Sequence, residues 1–151
     1  MIVYSGTKSS FRKDTINGVI ADRIDSLFTK FGIARESLAE FNSWKNSLPQ
    51  MSNIISDTRI DDDVQVALEY QIPLTSKRVD FMVGGNDGSK DNIVIIELKQ
   101  WTECTALSRE NLVRAFTGGA LRDVVHPSQQ AYSYAKFIEH FNESVRENEI
   151  G

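Results

Sequence analysis

The sequence predicts one α/β domain with a central sheet flanked by helices and an additional N-terminal helix. Two alternating, β-branched segments, residues 78–83 and 93–101, flank a loop of glycine and polar residues, which is the pattern of a β-hairpin. Apolar residues recur at helical spacing before and after this hairpin. The length of 151 residues suits a single domain with a core of substantial size.

Two amphipathic helices are predicted ahead of the hairpin, over residues 11–31 and 36–55. Pro49 is expected to kink or divide the second of them, because proline cannot donate the helical hydrogen bond. Residues 64–72 alternate between apolar and polar side chains and predict the first strand of the core, which the following proline ends. Within that strand, Glu69 is expected to point outward, and the alternative is that it contributes a further acidic group to the site.

The region after the hairpin is predicted to contain a flap and a final helix. Residues 102–125 are mixed and polar and are expected to cover the substrate side of the domain. The helix is predicted over residues 129–141, with Ser128 as its N-cap. Three arginines of the flap are candidates for contacts with phosphate groups, although isolated surface arginines usually have no such role; they are Arg109, Arg114 and Arg122.

Composition and charge exclude several classes of protein. No apolar run approaches the roughly 20 residues that span a bilayer, and the N-terminus lacks a signal-peptide pattern, so we expect no membrane partner. Cys104 is the single cysteine, which excludes an internal disulfide, and a cytoplasmic location is expected. The net charge of −4 provides no overall attraction for nucleic acid, so any such contact must be local or metal-assisted.

Charged residues occur where the apolar strands of the hairpin meet. Side chains alternate along a strand, so Glu97 and Lys99 should project from one face, while Asp80 should point away from Val79, Phe81 and Val83. Antiparallel pairing can then bring Asp80, Glu97 and Lys99 together. Two converging carboxylates suit Mg²⁺ or Mn²⁺, and a neighbouring ammonium can orient a water molecule or stabilise charge on a phosphoryl group.

The spacing Asp80…Glu97-x-Lys99 resembles the core motif of the PD-(D/E)XK nucleases, with valine in place of the proline. The resemblance implies a restriction-endonuclease-like core with a mixed central sheet, in which Asp80, Glu97 and the backbone carbonyl of Leu98 bind Mg²⁺ or Mn²⁺ and Lys99 is catalytic. It also implies an acidic metal ligand from the first core helix, for which Glu40 is the best match. The alternative for Glu40 is a solvated surface glutamate.

The pattern Gln130-x-x-x-Tyr134 resembles the accessory motif of RecB-type nucleases. The two residues are four apart on the predicted helix, so they share one face. The resemblance implies that both face the metal site or the DNA, and Gln100 is expected to help orient the substrate. The alternative is that Tyr134 simply packs in the core.

Three longer strings, EYQIPLTSKRVDF, IELKQW and HPSQQAYSYA, are similar to the N-terminal region of bacterial Schlafen group 3-like DNA/RNA helicase proteins. That resemblance implies a nuclease-like module joined to a C-terminal helicase/ATPase region. No Walker motif occurs in these 151 residues. The resemblance further implies a fourth strand beyond Gly151, and an edge without that strand is expected to favour a homodimer.

The predicted function is therefore metal-dependent hydrolysis of phosphodiester bonds in nucleic acid, with DNA as the expected substrate. The alternative is a catalytically silent nucleic-acid-binding or scaffold module that serves the helicase region. The complete Asp/Glu/Lys set favours the nuclease, whereas the acidic net charge favours the silent module.

Overall fold

The computed structural model describes residues 1–33, 38–147 and 150–151. Seven strands and five helices are described, in the order β1 (Ile2–Thr7), α1 (Lys8–Ile16), α2 (Ile20–Lys30), α3 (Leu38–Ile54), β2 (Gln65–Gln71), β3 (Arg78–Asn86), β4 (Asp91–Ile96), β5 (Cys104–Ala106), β6 (Leu112–Thr117), β7 (Ala120–Val125), α4 (Pro127–Phe141) and α5 (Glu143–Glu147). The α/β class predicted from the sequence is confirmed.

The central sheet has the strand order β1-β2-β3-β4, and every neighbouring pair is antiparallel. Helices α1–α3 cover one face through an apolar cluster that includes Phe11, Ile24 and Phe81. Helices α4 and α5 cover the other face through a second cluster that includes Val79 and Ile138. The prediction of a mixed sheet is wrong for the strands of the described chain, because tight turns and the α1–α3 segment connect them in antiparallel order.

The predicted N-terminal helix over residues 11–31 is instead two helices, α1 and α2. Gly18 lies between them at φ +70°. Its N–H donates to the carbonyl of Thr15, and the N–H of Val19 donates to that of Asp14. These two bonds form a Schellman motif, which ends a helix at a left-handed glycine. The dipeptide Asn-Gly was the sequence signal for this break.

The segment predicted as a polar flap is a second antiparallel sheet, β5-β6-β7. Gly118 and Gly119 have φ of +59° and +79°, and the flanking residues Thr117 and Ala120 are paired. Two consecutive positive φ values are what a two-residue hairpin turn requires, so glycines are needed at both positions. The Gly-Gly pair was the sequence signal for this turn.

Several element boundaries differ from the predictions. Strand β4 ends at Ile96 and not at residue 101, so Glu97 and Lys99 follow the strand instead of lying on one of its faces. Helix α3 runs through Pro49 without division; the predicted start at residue 36 lies outside the described residues. Strand β3 extends through Gly84 and Gly85, which shortens the hairpin loop. Helix α4 has His126 as its N-cap, whose side chain accepts from the N–H of Ser128, so Ser128 is not the cap.

The end of the described chain lies along the edge of β4. The N–H of Gly151 donates to the carbonyl of Asp91, and the carbonyl of Gly151 accepts from the N–H of Ile93. Both bonds go to the neighbours of one residue, Asn92, which is the pattern of a parallel pair. None of the helices in the described ranges is long and apolar enough to cross a membrane.

Candidate metal centre

A pocket opens where β3 and β4 reach the ends of α3 and α4. Four carboxylates line it, together with two cationic side chains and one amide: Glu40, Glu69, Asp80, Glu97, Arg78, Lys99 and Gln130. Four negative charges against two positive ones leave a formal excess of two negative charges. A divalent cation would neutralise this excess.

Strand register places three of these carboxylates in a row. Leu68 and Tyr70 pair with Phe81 and Val79, so Glu69 of β2 lies opposite Asp80 of β3. On the other side, Phe81 pairs with Ile96, so the residue after β4, Glu97, also lies opposite Asp80. Like charges in opposite positions destabilise a sheet unless something compensates for them.

Glu69 was expected to point outward, and that expectation is wrong. The residue is 6 % exposed and has φ +53° within β2, where extended backbone is the rule. The strict alternation of side chains is interrupted at this point, because Val79 packs toward α4 while Phe81 and Val83 pack toward α1–α3. The predicted common face for these three apolar residues is therefore wrong as well.

Asp80 and Glu97 are held in different ways. Asp80 Oδ2 accepts from the backbone N–H of Leu98 at 2.8 Å. Glu97 Oε1 accepts from Lys99 Nζ at 2.5 Å and from Gln130 Nε2 at 2.5 Å. Glu97 Oε2 is buried and, among the described residues, receives no hydrogen bond unless the neighbouring Asp80 carries a proton, which the two carboxyl groups would then share. A buried carboxylate oxygen without a donor costs free energy unless a cation or a proton occupies its lone pairs.

The acidities in the pocket reflect this crowding. Burial, and then the charge of Asp80, raise the pKa of Glu97 to about 7. Burial is the largest cause that raises the pKa of Asp80, and the N–H of Leu98 opposes it. Burial also raises the pKa of Glu69 to about 7, against the stabilising hydrogen bond from Trp44. Carboxyl groups that resist ionisation beside one another are typical of sites that bind a metal ion or transfer a proton.

Gln130 and Tyr134 face the pocket from α4. Gln130 Nε2 donates to Glu97 and also to the Tyr134 hydroxyl at 2.9 Å. Tyr134 is 7 % exposed and belongs to the apolar cluster under α4, so it both packs in the core and reaches the site with its hydroxyl. The alternative that Tyr134 packs in the core is thus confirmed, whereas its service to a metal site or to DNA stays a prediction.

Glu40 lines the pocket, but its carboxylate forms an ion pair with Arg78. The Arg78 Nε also lies 3.0 Å from Glu69 Oε2, and Glu69 Oε1 accepts from Trp44 Nε1 at 2.7 Å. These four residues, Glu40, Arg78, Glu69 and Trp44, join α3 to β2 and β3. Glu40 therefore sits beside the centre, and its role as a metal ligand stays a prediction.

The other predicted residues lie away from the centre. Gln100 Nε2 donates to the carbonyl of Ser43 and to the Ser47 hydroxyl, both on α3. In the second sheet, Arg114 is paired with Asp123 at 2.7 Å, whereas the side chains of Arg109 and Arg122 are exposed. Within the described chain, no group of three or more His, Cys, Asp or Glu side chains is arranged to hold a metal ion.

The residues present nevertheless fit a divalent cation. The observations are the donor-free buried oxygen of Glu97, its neighbour Asp80 and the formal excess of negative charge. Carboxylate, carbonyl and water oxygens are the ligands that Mg²⁺ and Mn²⁺ prefer, and Mg²⁺ commonly binds through one or two carboxylates. Comparison of the chain with protein-family models, with curated proteins and with solved structures finds no match.

Proposed function

We propose that the protein is a Mg²⁺- or Mn²⁺-dependent nuclease with a PD-(D/E)XK-like core, and that its substrate is DNA. One observation carries this proposal: the half-buried carboxyl groups of Asp80 and Glu97 lie side by side, and Glu97 Oε2 has no hydrogen-bond donor among the described residues other than a protonated Asp80, whose proton a divalent cation would replace. The resemblance of Asp80…Glu97-x-Lys99 to the family motif supplies the reaction class. The PD-(D/E)XK-like core in this proposal is argued by analogy with that family.

Asp80, Glu97 and the backbone carbonyl of Leu98 would hold the cation. When bound, a divalent ion neutralises charge on the phosphoryl group and makes water a better nucleophile. Glu40 would join this set only if its ion pair with Arg78 were exchanged. The N–H of Leu98 keeps Asp80 oriented, because it donates to the Oδ2 atom.

Lys99 and Gln130 converge on a single oxygen of Glu97. They orient this carboxylate so that its second oxygen, Oε2, remains available to the cation. The Lys99 side chain is 26 % exposed. Its ammonium group can therefore also contact the phosphoryl oxygens as negative charge develops on them. Tyr134 holds Gln130 from the other side and thus supports the position of Glu97 indirectly.

Three cationic side chains lie at the pocket, although its carboxylates outnumber them unless a divalent ion is bound. Lys77, Arg78 and Lys99 lie on or next to the pocket, and Lys77 Nζ is 5.9 Å from the centre of the Tyr134 ring. A polyanionic substrate can be guided by such local charge even when the whole chain is acidic. A helicase/ATPase region joined to this domain would supply further contacts with DNA.

The experiment compares the wild type with the variants Asp80→Ala, Glu97→Ala and Lys99→Ala. Single- and double-stranded DNA and RNA are incubated with and without Mn²⁺, and Mn²⁺ binding is measured by calorimetry. We expect metal-dependent cleavage by the wild type and losses of at least about 100-fold in each variant, the size of a removed transition-state contact. Removal of Asp80 or Glu97 should also abolish Mn²⁺ binding, whereas Lys99→Ala should retain it.

Glu139→Ala is the matched control, because Glu139 is an exposed glutamate on α4 that pairs with Lys136. It should leave both cleavage and metal binding unchanged. Undiminished cleavage by Glu97→Ala would contradict the assignment. If the protein binds DNA but neither cleaves it nor binds Mn²⁺, the result would instead support the silent nucleic-acid-binding module.

A further inference from the structure

Leu74 stands fully exposed in the turn between β2 and β3. Its relative exposure is 100 %, the highest of the exposed large hydrophobic residues in the described chain. Its φ is +61°, a left-handed conformation that leucine rarely adopts. Both properties lower stability, since a leucine gains from leaving water and a strained backbone costs free energy. Outliers of this kind are kept where the surrounding structure enforces them, and they cluster at ligand-binding sites.

The turn that carries Leu74 is closed by several hydrogen bonds. The N–H of Ile72 donates to the carbonyl of Lys77 at 3.0 Å, and the Thr75 hydroxyl donates to the carbonyl of Ile72 at 3.0 Å. Gln71 Nε2 donates to the carbonyl of Thr75 at 2.5 Å. These bonds fix the backbone of the turn, so the leucine is held outward before any partner binds.

The same turn borders the candidate metal centre. Ser76, two residues after Leu74, lines the pocket together with Asp80 and Glu97. Two residues of chain span at most about 7 Å. Lys77 lies over the ring of Tyr134, whose hydroxyl joins the hydrogen bonds of the centre. The segment that borders the pocket thus carries an apolar side chain and, three residues further on, a cation.

We propose that Leu74 is a wedge that enters the base stack of duplex DNA bound at the metal centre and unstacks the step beside the scissile phosphodiester. This inference rests on the proposed nuclease function. Leucine is one of the apolar side chains that proteins insert between base pairs, where it leaves water and contacts two base faces. The ammonium of Lys77, three residues on, is placed to contact the adjacent phosphate.

The test uses two DNA substrates of the same sequence, one fully paired and one with three unpaired bases at its centre. Cleavage in Mn²⁺ is measured for the wild type and for Leu74→Gly. We expect Leu74→Gly to lower kcat/KM on the paired duplex by about tenfold, because the variant must unstack the bases without the wedge. On the unpaired substrate the change should stay within about twofold, because the unstacking is already done.

A second measurement follows base unstacking directly, by the fluorescence of 2-aminopurine placed in the paired duplex. The wild type should raise this fluorescence, and Leu74→Gly should not. Two controls accompany it. Leu74→Gly should melt no lower than the wild type, because glycine suits a positive φ, and Leu121→Ala, another exposed leucine outside the pocket, should behave as the wild type.

The possible outcomes separate the two proposals. If the wild type cleaves and Leu74→Gly matches it on both substrates, the wedge is overturned while the proposed nuclease function is supported. The exposed leucine would then be assigned to contact with a protein partner. If the wild type cleaves neither substrate, the proposed nuclease function fails, and the fluorescence decides on the wedge. Unchanged fluorescence on addition of the wild type overturns the wedge.

Discussion

Replacing Glu97 with glutamine should weaken the dependence of thermal stability on pH in the metal-free protein. Glu97 has a pKa of about 7 in the folded chain, above the ordinary 4.5, so the folded state binds this proton more tightly than the unfolded state does. The stabilisation is therefore fully present below pH 4.5 and is lost as the pH rises through 7. Glutamine keeps the shape of the side chain and cannot ionise.

The magnitude follows from the two pKa values. The rise in pKa from 4.5 to about 7 corresponds to a decrease of about 3 kcal/mol in the free energy of unfolding between pH 4.5 and pH 8. This value is an upper limit, because Glu97 shares its proton with Asp80. For a domain of 151 residues this equals a fall in Tm of about 6 to 12 °C. Burial raises the pKa of Glu69 to about 7 as well and also raises the pKa of Asp80, so the variant should retain part of the fall.

The assay is the Tm of both proteins in EDTA, measured at intervals from pH 5 to pH 8. Glu97→Gln should melt higher than the wild type at pH 8 and close to it at pH 5. Glu139→Gln is the control, because Lys136 lowers the pKa of Glu139 and no fall above pH 5 is expected from it. In Mn²⁺ at pH 8 the order should reverse, since only the wild type can be stabilised by the ion. Parallel Tm curves for Glu97→Gln and the wild type in EDTA would refute the reasoning.

Two further predictions concern single side chains. Lys8 is 2 % exposed and donates to two backbone carbonyls, so Lys8→Met should lower the free energy of unfolding by about 2 kcal/mol or more, read from the urea midpoint at unchanged m. The control is Lys13→Met, which replaces an exposed lysine of the same helix and should cost little. Equal losses in the two variants would contradict a specific stabilising role of the Lys8 hydrogen bonds. Gln130→Ala should reduce the cleavage rate by about tenfold while changing stability by about 1 kcal/mol or less, because its amide orients Glu97. The neighbouring Gln129→Ala should leave the rate unchanged, and a Gln130→Ala variant that is strongly destabilised but turns over normally would assign the residue to the fold alone.

The local elements of the sheet and helices could be predicted from the sequence. Alternation over residues 64–72 marks a strand because the side-chain period of a strand is two, and the continuous β-branched run over residues 93–96 marks another. Apolar residues at helical spacing mark α3 and α4. Glu97 and Lys99 follow the end of β4, so the strand period does not account for their ion pair, although their separation of two residues keeps them close. Gly18 and the Gly118-Gly119 pair carried readable signals for a helix end and a hairpin turn.

The composition of the candidate centre was decided by the tertiary structure. Glu69 turns inward because its own φ is positive and because Trp44 and Arg78, distant in sequence, satisfy its two oxygens. Glu40 pairs with Arg78 because α3 packs across the ends of β2 and β3. Periodicity describes one element at a time, so it contains no information on which charges from separate elements will meet. Strand register and helix packing decide which charges meet. They bring Glu97 Oε1 into contact with Lys99 and with Gln130 of α4, which is 33 residues further along the chain.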